Sequence, residues 1–281
     1  VAVVGPAAAM PPTPLTSLPQ DSENVRVSGQ YVIWAQDVDP SETAQYDIYA
    51  MNLTDQQPFL VAGGDANQYP AAIDDGIVGW TEINRGEERD RTDLRGKNLV
   101  TGQDFDIATM DGEGQALDIS DGRVIWSISD GTIMLRDLTT GADPVVLLPP
   151  PDNSGLPPGV PGWDRTPADL EGNWLVWLEI RRGLPNGGTR YYSRLFALEL
   201  DGGQPTLIDE MTGMAPDDYF NADLGGDTVI YSSRSNPTLT ALNLATGERR
   251  AIVTVPGPQD GPVDAATDDG RYVFWRNSVT S

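Results

Sequence analysis

The 281 residues include no cysteine and no histidine. The first absence removes disulfide frameworks, thiolate zinc sites, c-type haem attachment and a cysteine nucleophile. The second removes the usual general base and the usual transition-metal ligand, and with them Ser-His-Asp catalysis. Positive charge is scarce too: 18 Lys and Arg, with Lys97 the single lysine, face 42 Asp and Glu, for a formal charge of −24. That balance excludes nucleic acid as a partner, because phosphate binding depends on clustered Lys and Arg. No apolar run approaches the ~20 residues of a membrane-spanning helix. The chemistry left over is carboxylate catalysis, Tyr or Ser nucleophiles, and oxygen-ligated Ca²⁺ or Mg²⁺. The acid excess is spread along the chain rather than gathered in a tail. It reads first as solubility and second as attraction for cations or basic partners.

What the chain does have is a repeat. Ile119-Ser120-Asp121-Gly122 runs into Arg123-Val124-Ile125-Trp126, a tight turn followed by an apolar strand that ends in an aromatic residue. Related stretches end at Trp34, Trp80, Trp177, Tyr231 and Trp275. Six copies at a spacing of roughly 45 to 55 residues is the signature of a propeller or solenoid. A second element follows five of them: Ile48 to Asp55, Leu94 to Gly102, Ile133 to Gly141, Leu195 to Gly203 and Leu239 to Gly247, each leading into a short apolar run. Alternating apolar residues mark half-buried strands, and the Asn/Asp with Thr-Gly supplies side-chain bonds and positive φ for a hairpin turn. Together these make four antiparallel strands, A to D, per repeat. The aromatic residue ending strand B is large enough to fill the wedge between neighbouring sheets. Helical periodicity is absent.

Asp74-Asp75-Gly76 after Tyr69-Pro70-Ala71-Ala72, followed by Val78-Gly79-Trp80, resembles the Pro-Asp-Gly-centred repeats of TolB-type β-propellers. So does the Asp-Ile-Tyr-Ala-Met-Asn-Leu run of residues 47–53. The likeness covers residues 23–277. It departs from the family where Asp74, Ser120 or Asp268 replaces the Pro before Asp-Gly, and it does not extend to the amino-terminal domain of TolB. The resemblance implies a periplasmic or extracellular protein that works through protein contacts. The expected fold is all-β: a six-bladed β-propeller of four-stranded antiparallel blades over residues 23–281, preceded by an extended N-terminal arm over residues 1–22. Val1 to Ala9 resembles the tail of a signal peptide, but no basic segment and no initiator Met precede it, so the chain is expected to start after processing or to be a fragment. Six A–B units but five C–D hairpins leave an open sheet edge. Val1 to Val4 would close it as an outer strand, or would pair with another copy and drive assembly.

In an up-and-down blade the B–C and D–A connections emerge on one face, and the long ones, Ala35–Tyr46, Thr81–Asp93, Pro149–Thr166, Leu178–Arg194 and Asp209–Asn221, fall there. That face is the expected binding face for a protein partner. Its candidate contacts are Arg85, Trp163, Tyr191, Tyr192, Tyr219 and Phe220, whose rings would stack on a peptide or a carbohydrate or else anchor their own loops. Glu82 and Glu179 lie two residues past the strand-B Trp in blades two and four. Paired carboxylates there would suit a carbohydrate-active enzyme, while strand alternation accounts for both without catalysis. Asp118, Asp169 and Asp223 recur in strand A of three consecutive blades. They would either ring the axis as oxygen ligands for Ca²⁺ or accept backbone N–H groups of the next blade. Asp37 and Asp39 have the alternate-oxygen spacing of a calcium loop without its glycine and final glutamate. A non-catalytic binding or assembly module is the function expected first. A carbohydrate-active propeller and a self-assembling structural subunit are the alternatives.

Overall fold

The structure is a computed structural model, and it describes residues 22–38, 45–84, 91–111, 115–156, 159–183, 191–213, 220–233, 236–254, 262–268 and 272–277. The first sheet joins β1 (Ser22–Ser28), β2 (Tyr31–Asp37), β3 (Tyr46–Asn52) and β4 (Pro58–Ala62) in that order. The second joins β5 (Asn67–Asp74), β6 (Ile77–Asn84), β7 (Arg91–Asn98) and β8 (Asp104–Asp111), and the third β9 (Gln115–Ser120), β10 (Arg123–Ser127), β11 (Ile133–Asp137) and β12 (Val145–Leu148). The fourth holds β13 (Asp164–Glu171), β14 (Trp174–Arg182), β15 (Tyr191–Glu199) and β16 (Thr206–Gly213). The fifth holds β17 (Phe220–Gly225), β18 (Thr228–Ser233), β19 (Asn236–Asn243) and β20 (Arg249–Thr254). A two-stranded sheet of β21 (Pro262–Asp268) and β22 (Tyr272–Asn277) follows. Every pairing is antiparallel, and among the described residues there is no helix, hence none able to cross a membrane.

The turns form for the reason their residues suggest. Asp75 and Gly76 have φ of 42° and 78°, and Asp121 and Gly122 have 52° and 72°, the paired left-handed conformation of a tight hairpin. At the other hairpin of the blade an Asx side chain closes the turn. Asn98 Oδ1 accepts from the N–H groups of Val100 and Thr101 at 2.9 Å, and Asp137 and Asn243 take the N–H of Thr139 and Thr246 at 2.8 Å.

The inner strands β1, β5, β9, β13, β17 and β21 pack each against the next. The core lies between sheets rather than within one. Tyr31, Ile33, Ile48 and Val61 of the first sheet meet Ile73, Val78 and Trp80 of the second. Ile125, Ile133 and Leu148 of the third meet Leu170, Leu175 and Trp177 of the fourth. Trp80, Trp126, Trp177 and Tyr231, which the repeat places at the same strand position, are each 1–4% exposed and pack back on the preceding sheet, as wedge-filling requires. Burying a side chain of this size removes enough apolar surface to contribute about 2–3 kcal/mol.

Polar ties cross the same boundaries. Ser28 Oγ accepts the Asp75 N–H at 3.1 Å, Asp74 Oδ2 the Asp121 N–H at 2.7 Å, and Ser120 Oγ the Gly172 N–H at 3.0 Å. On the outside, scarce cations cap the outer strands, whose edges would otherwise be open. Lys97 donates to the Val61 carbonyl at 3.3 Å, Arg136 to those of Asp106 and Ile107, and Arg249 to that of Ile208.

The strands run further than the sequence indicates. Glu82, Glu179, Tyr191 and Tyr192 sit on β6, β14 and β15 rather than in loops. Cross-strand hydrogen bonding prolongs a hairpin past the point where apolar alternation fades. Residues 1–21, including the arm expected to close the ring, lie outside the described residues.

Candidate functional site

Two groups of candidate residues can be followed to their partners, one at the axis and one at the rim. At the axis, Asp118 Oδ2 accepts the Leu170 N–H at 2.7 Å and Asp169 Oδ2 accepts the Leu224 N–H at 2.7 Å. Asp118 Oδ1 also takes the N–H of Ile119 at 2.9 Å. The two carboxyls hydrogen-bond each other. Burial pushes Asp118 above the usual carboxylate range despite the hydrogen bonds from Asp169 and from the Leu170 and Ile119 N–H groups and the weaker effect of the Arg26 charge. Burial and the neighbouring charge of Asp118 push Asp169 well above it. These aspartates tie each sheet to the next one. Asp223 holds the equivalent place on β17, paired across from Ile230 as Asp118 is from Ile125. Among the described residues no three Asp, Glu, His or Cys side chains come together as a metal-binding group. Asp37 ends β2, and Asp39 lies outside the described residues.

At the rim, Glu82 and Glu179 occupy the second and fourth sheets, with the third between them. Glu82 pairs with Arg95 at 3.2 Å, and Arg95 also reaches Asp106 at 2.8 Å. Asp93, next to them, accepts from Thr109 at 2.6 Å and from Arg91 at 2.9 Å. Burial pushes the Asp93 carboxyl up, but the bonds from Thr109 and Arg91 outweigh it and hold the group below its usual value. Glu179 is 7% exposed, and its Oε1 accepts two hydrogen bonds from Arg165, at 2.7 and 3.1 Å. Arg165 also donates to the Pro149 carbonyl at 2.6 Å, which ties the fourth sheet to the third.

Above Glu179 on the same face of the fourth sheet the residues alternate into an arginine–aromatic cluster. Arg181 pairs across from Tyr192, Glu179 from Arg194, and Arg194 from Glu210. The Arg181 guanidinium lies 4.6 Å from the Trp163 ring centre and 4.7 Å from that of Tyr192. The Arg194 guanidinium lies 4.2 Å from the same Trp163 ring. Trp163 is positioned by its own loop: its N–H donates to Asn153 Oδ1 at 2.9 Å, just before β13 begins. A cavity of about 330 Å³ opens among Trp163, Arg181, Tyr192, Arg194, Glu210 and Thr212. It lies at the end of the sheet where the B–C and D–A connections emerge.

Trp163 and Tyr192 are therefore brought together. Tyr191 begins β15 beside them, half-buried and paired across from Gly213. Phe220 is placed elsewhere: it is 4% exposed and meets Tyr231 edge-on at 5.9 Å in the core. Arg85 and Tyr219 lie outside the described residues. Arg165, Arg181 and Arg194 do not stand out in the sequence. Their signal is the alternation of Trp177, Glu179 and Arg181 on one strand, which puts all three on one face.

No family model matches the chain, and neither does any of the curated proteins. Solved structures do match. The β-propeller domain of the Trilobed protease from Pyrococcus furiosus, described as having an open velcro topology, aligns with a TM-score of 0.63 at 12% identity over 93% of this chain and 78% of that one. An oligogalacturonate lyase in complex with manganese aligns at 0.58 and 12% identity, covering 85% of this chain and 67% of that one. TolB from Acinetobacter baumannii aligns at 0.53 and 13% identity, over 84% of this chain and 55% of that one. Identities this low speak to fold alone. The fold is that of a TolB-like β-propeller.

Proposed function

We propose that this TolB-like β-propeller is a non-catalytic binding module, exported to the periplasm or the cell exterior, that takes a protein partner on its loop-rich end. In this proposal the ring has six blades, and the N-terminal arm completes the sixth. The observation that carries the function is the state of the rim carboxylates. A glycosidase needs two carboxyl groups facing one bond, one of them free to hold a proton. Glu82 and Glu179 instead belong to separate sheets, and each is committed to an arginine. The same end of the fourth sheet offers the Trp163–Arg181–Tyr192–Arg194 cluster, whose residue types are those enriched at interface centres.

Photocrosslinking tests the function with two exposed positions of the third sheet, Ser129 in the β10–β11 connection and Ala142 in the β11–β12 turn at the opposite end. A benzophenone side chain at 129, expressed in the native host, is expected to capture a protein that the one at 142 does not. Adducts from 142 alone, no adduct from 129, or turnover of an oligosaccharide that Glu179→Gln abolishes would overturn the proposal.

A further inference from the structure

We infer that the cavity above Glu179 is a carboxylate-binding subsite, in which Arg181 and Arg194, both lying over Trp163, grip the carboxylate of a ligand whose body lies against Tyr192. The inference deepens the binding-module reading and rests on it for the choice of end.

Charge distribution carries the first part. In a chain with a formal charge of −24, arginine here outnumbers the carboxylates available to it among the described residues. The Arg181 side chain makes no hydrogen bond or ion pair among the described residues, and its Nε is buried without a partner. Among the described residues the only carboxylate paired with Arg194 is that of Glu210, at 3.8 Å and with 66% of that side chain exposed. Glu179 stands across from Arg194 in the ladder, yet its Oε1 is taken by Arg165. Two guanidinium groups against one indole repel each other, and an anion reaching both would relieve that repulsion.

Geometry carries the second part. A guanidinium lying over an aromatic ring, as both do over Trp163, gains cation–π attraction without using its N–H groups, which stay able to meet a planar, two-oxygen acceptor. A volume of about 330 Å³ is at the small end of ligand cavities, the size of one acidic residue or one small organic acid. The exposed Glu210 at the mouth and the acidic surface beyond it repel a dianion more than a monoanion. They favour a single carboxylate on a neutral or basic body over a phosphate.

The test is calorimetric titration of the full chain with four probes: the peptide N-acetyl-Lys-Phe-Glu-amide, its Gln twin, hippurate and inorganic phosphate. The Glu peptide is expected to bind, and the Gln twin about tenfold or more weakly. Arg181→Met and Arg194→Met are each expected to weaken binding by about tenfold or more, and Arg181→Lys, which keeps the charge and loses the fork, by less. Arg182→Met, beside the site on an exposed position, should leave it unchanged. Hippurate binding as well as the peptide would identify a small acid as the source; peptide binding alone would identify an acidic residue of a protein. No heat from any probe up to about 10 mM, phosphate binding as tightly as the peptide, or both Met variants binding like wild type would overturn the inference. Melting curves of the Arg variants show whether each is folded, and Arg181→Lys keeps the test open if Arg181→Met is not. The crosslinking result at position 129 is independent, so a lost subsite and a lost binding face are told apart.

Discussion

The second and fourth sheets carry a glutamate at the same strand position, and their cross-strand neighbours give it different roles. Glu82 is flanked by Gln68 and Asp93, Glu179 by Arg165 and Arg194. In the second sheet carboxylates surround the arginines: Arg95 is shared among Glu82, Asp93 and Asp106, and Arg91 goes to Asp93. All of that charge is spent within the sheet. In the fourth sheet one buried ion pair absorbs Glu179 and Arg165, and two arginines remain with aromatic rings as their main support. What differs is the pairing of neighbours across the ladder, not the repeat, and that pairing decides whether the arginines of a rim are taken up by carboxylates or left beside aromatic rings.

The largest expected effect comes from removing Arg165. Arg165→Met leaves the Glu179 carboxylate buried and unpaired, which should lower unfolding free energy by about 3–5 kcal/mol in chemical denaturation. A loss under about 1 kcal/mol would mean that Arg194 had taken over Glu179, and the contrast between the sheets would fall.

An intermediate effect is expected at the axis, where the second sheet has Ala72 and the fourth has Asp169, paired across from Gly79 and Val176 respectively. The folded pKa of Asp169 is raised, so between its ordinary value of 3.8 and that folded value the native state holds more protons than the unfolded one. By linkage, stability falls as pH rises through that window. Asp169→Asn can donate to Asp118 and accept from the Leu224 N–H at every pH. It should therefore flatten the pH profile, measured as denaturation midpoints from pH 4 upward. A variant that keeps the wild-type slope would assign the proton elsewhere.

The smallest effect is expected in the second sheet. Arg95 and Glu82 keep 39% and 21% side-chain exposure, so Glu82→Gln should change stability by less than about 1 kcal/mol. A larger loss would show that the Glu82 network is as dry as the Glu179 pair and would erase the distinction.

Much of the architecture was legible before any coordinates. The Asp-Gly turns and the Asx-closed hairpins announce themselves because their residue types answer to local backbone conformation. The aromatic ending strand B reveals the sheet-to-sheet core because it recurs. The site was only half legible: Trp163 and Tyr192 stand out in the sequence, while Phe220 points into the core and Arg165, Arg181 and Arg194 do not stand out. A ring that anchors a loop and a ring that fills a core look alike in one dimension.

The sequence alone determined where strands and tight turns occur and the order in which sheets follow one another, though not how far the strands run past the fading of apolar alternation. Which arginine serves which carboxylate was decided only by tertiary structure. Arg165 reaches Glu179 across one ladder and Pro149 across a sheet boundary, while Arg181 is left to the rings of Trp163 and Tyr192. Charge finds its partner through space, and in a fold of stacked sheets the nearest partner in space is seldom the nearest in the chain.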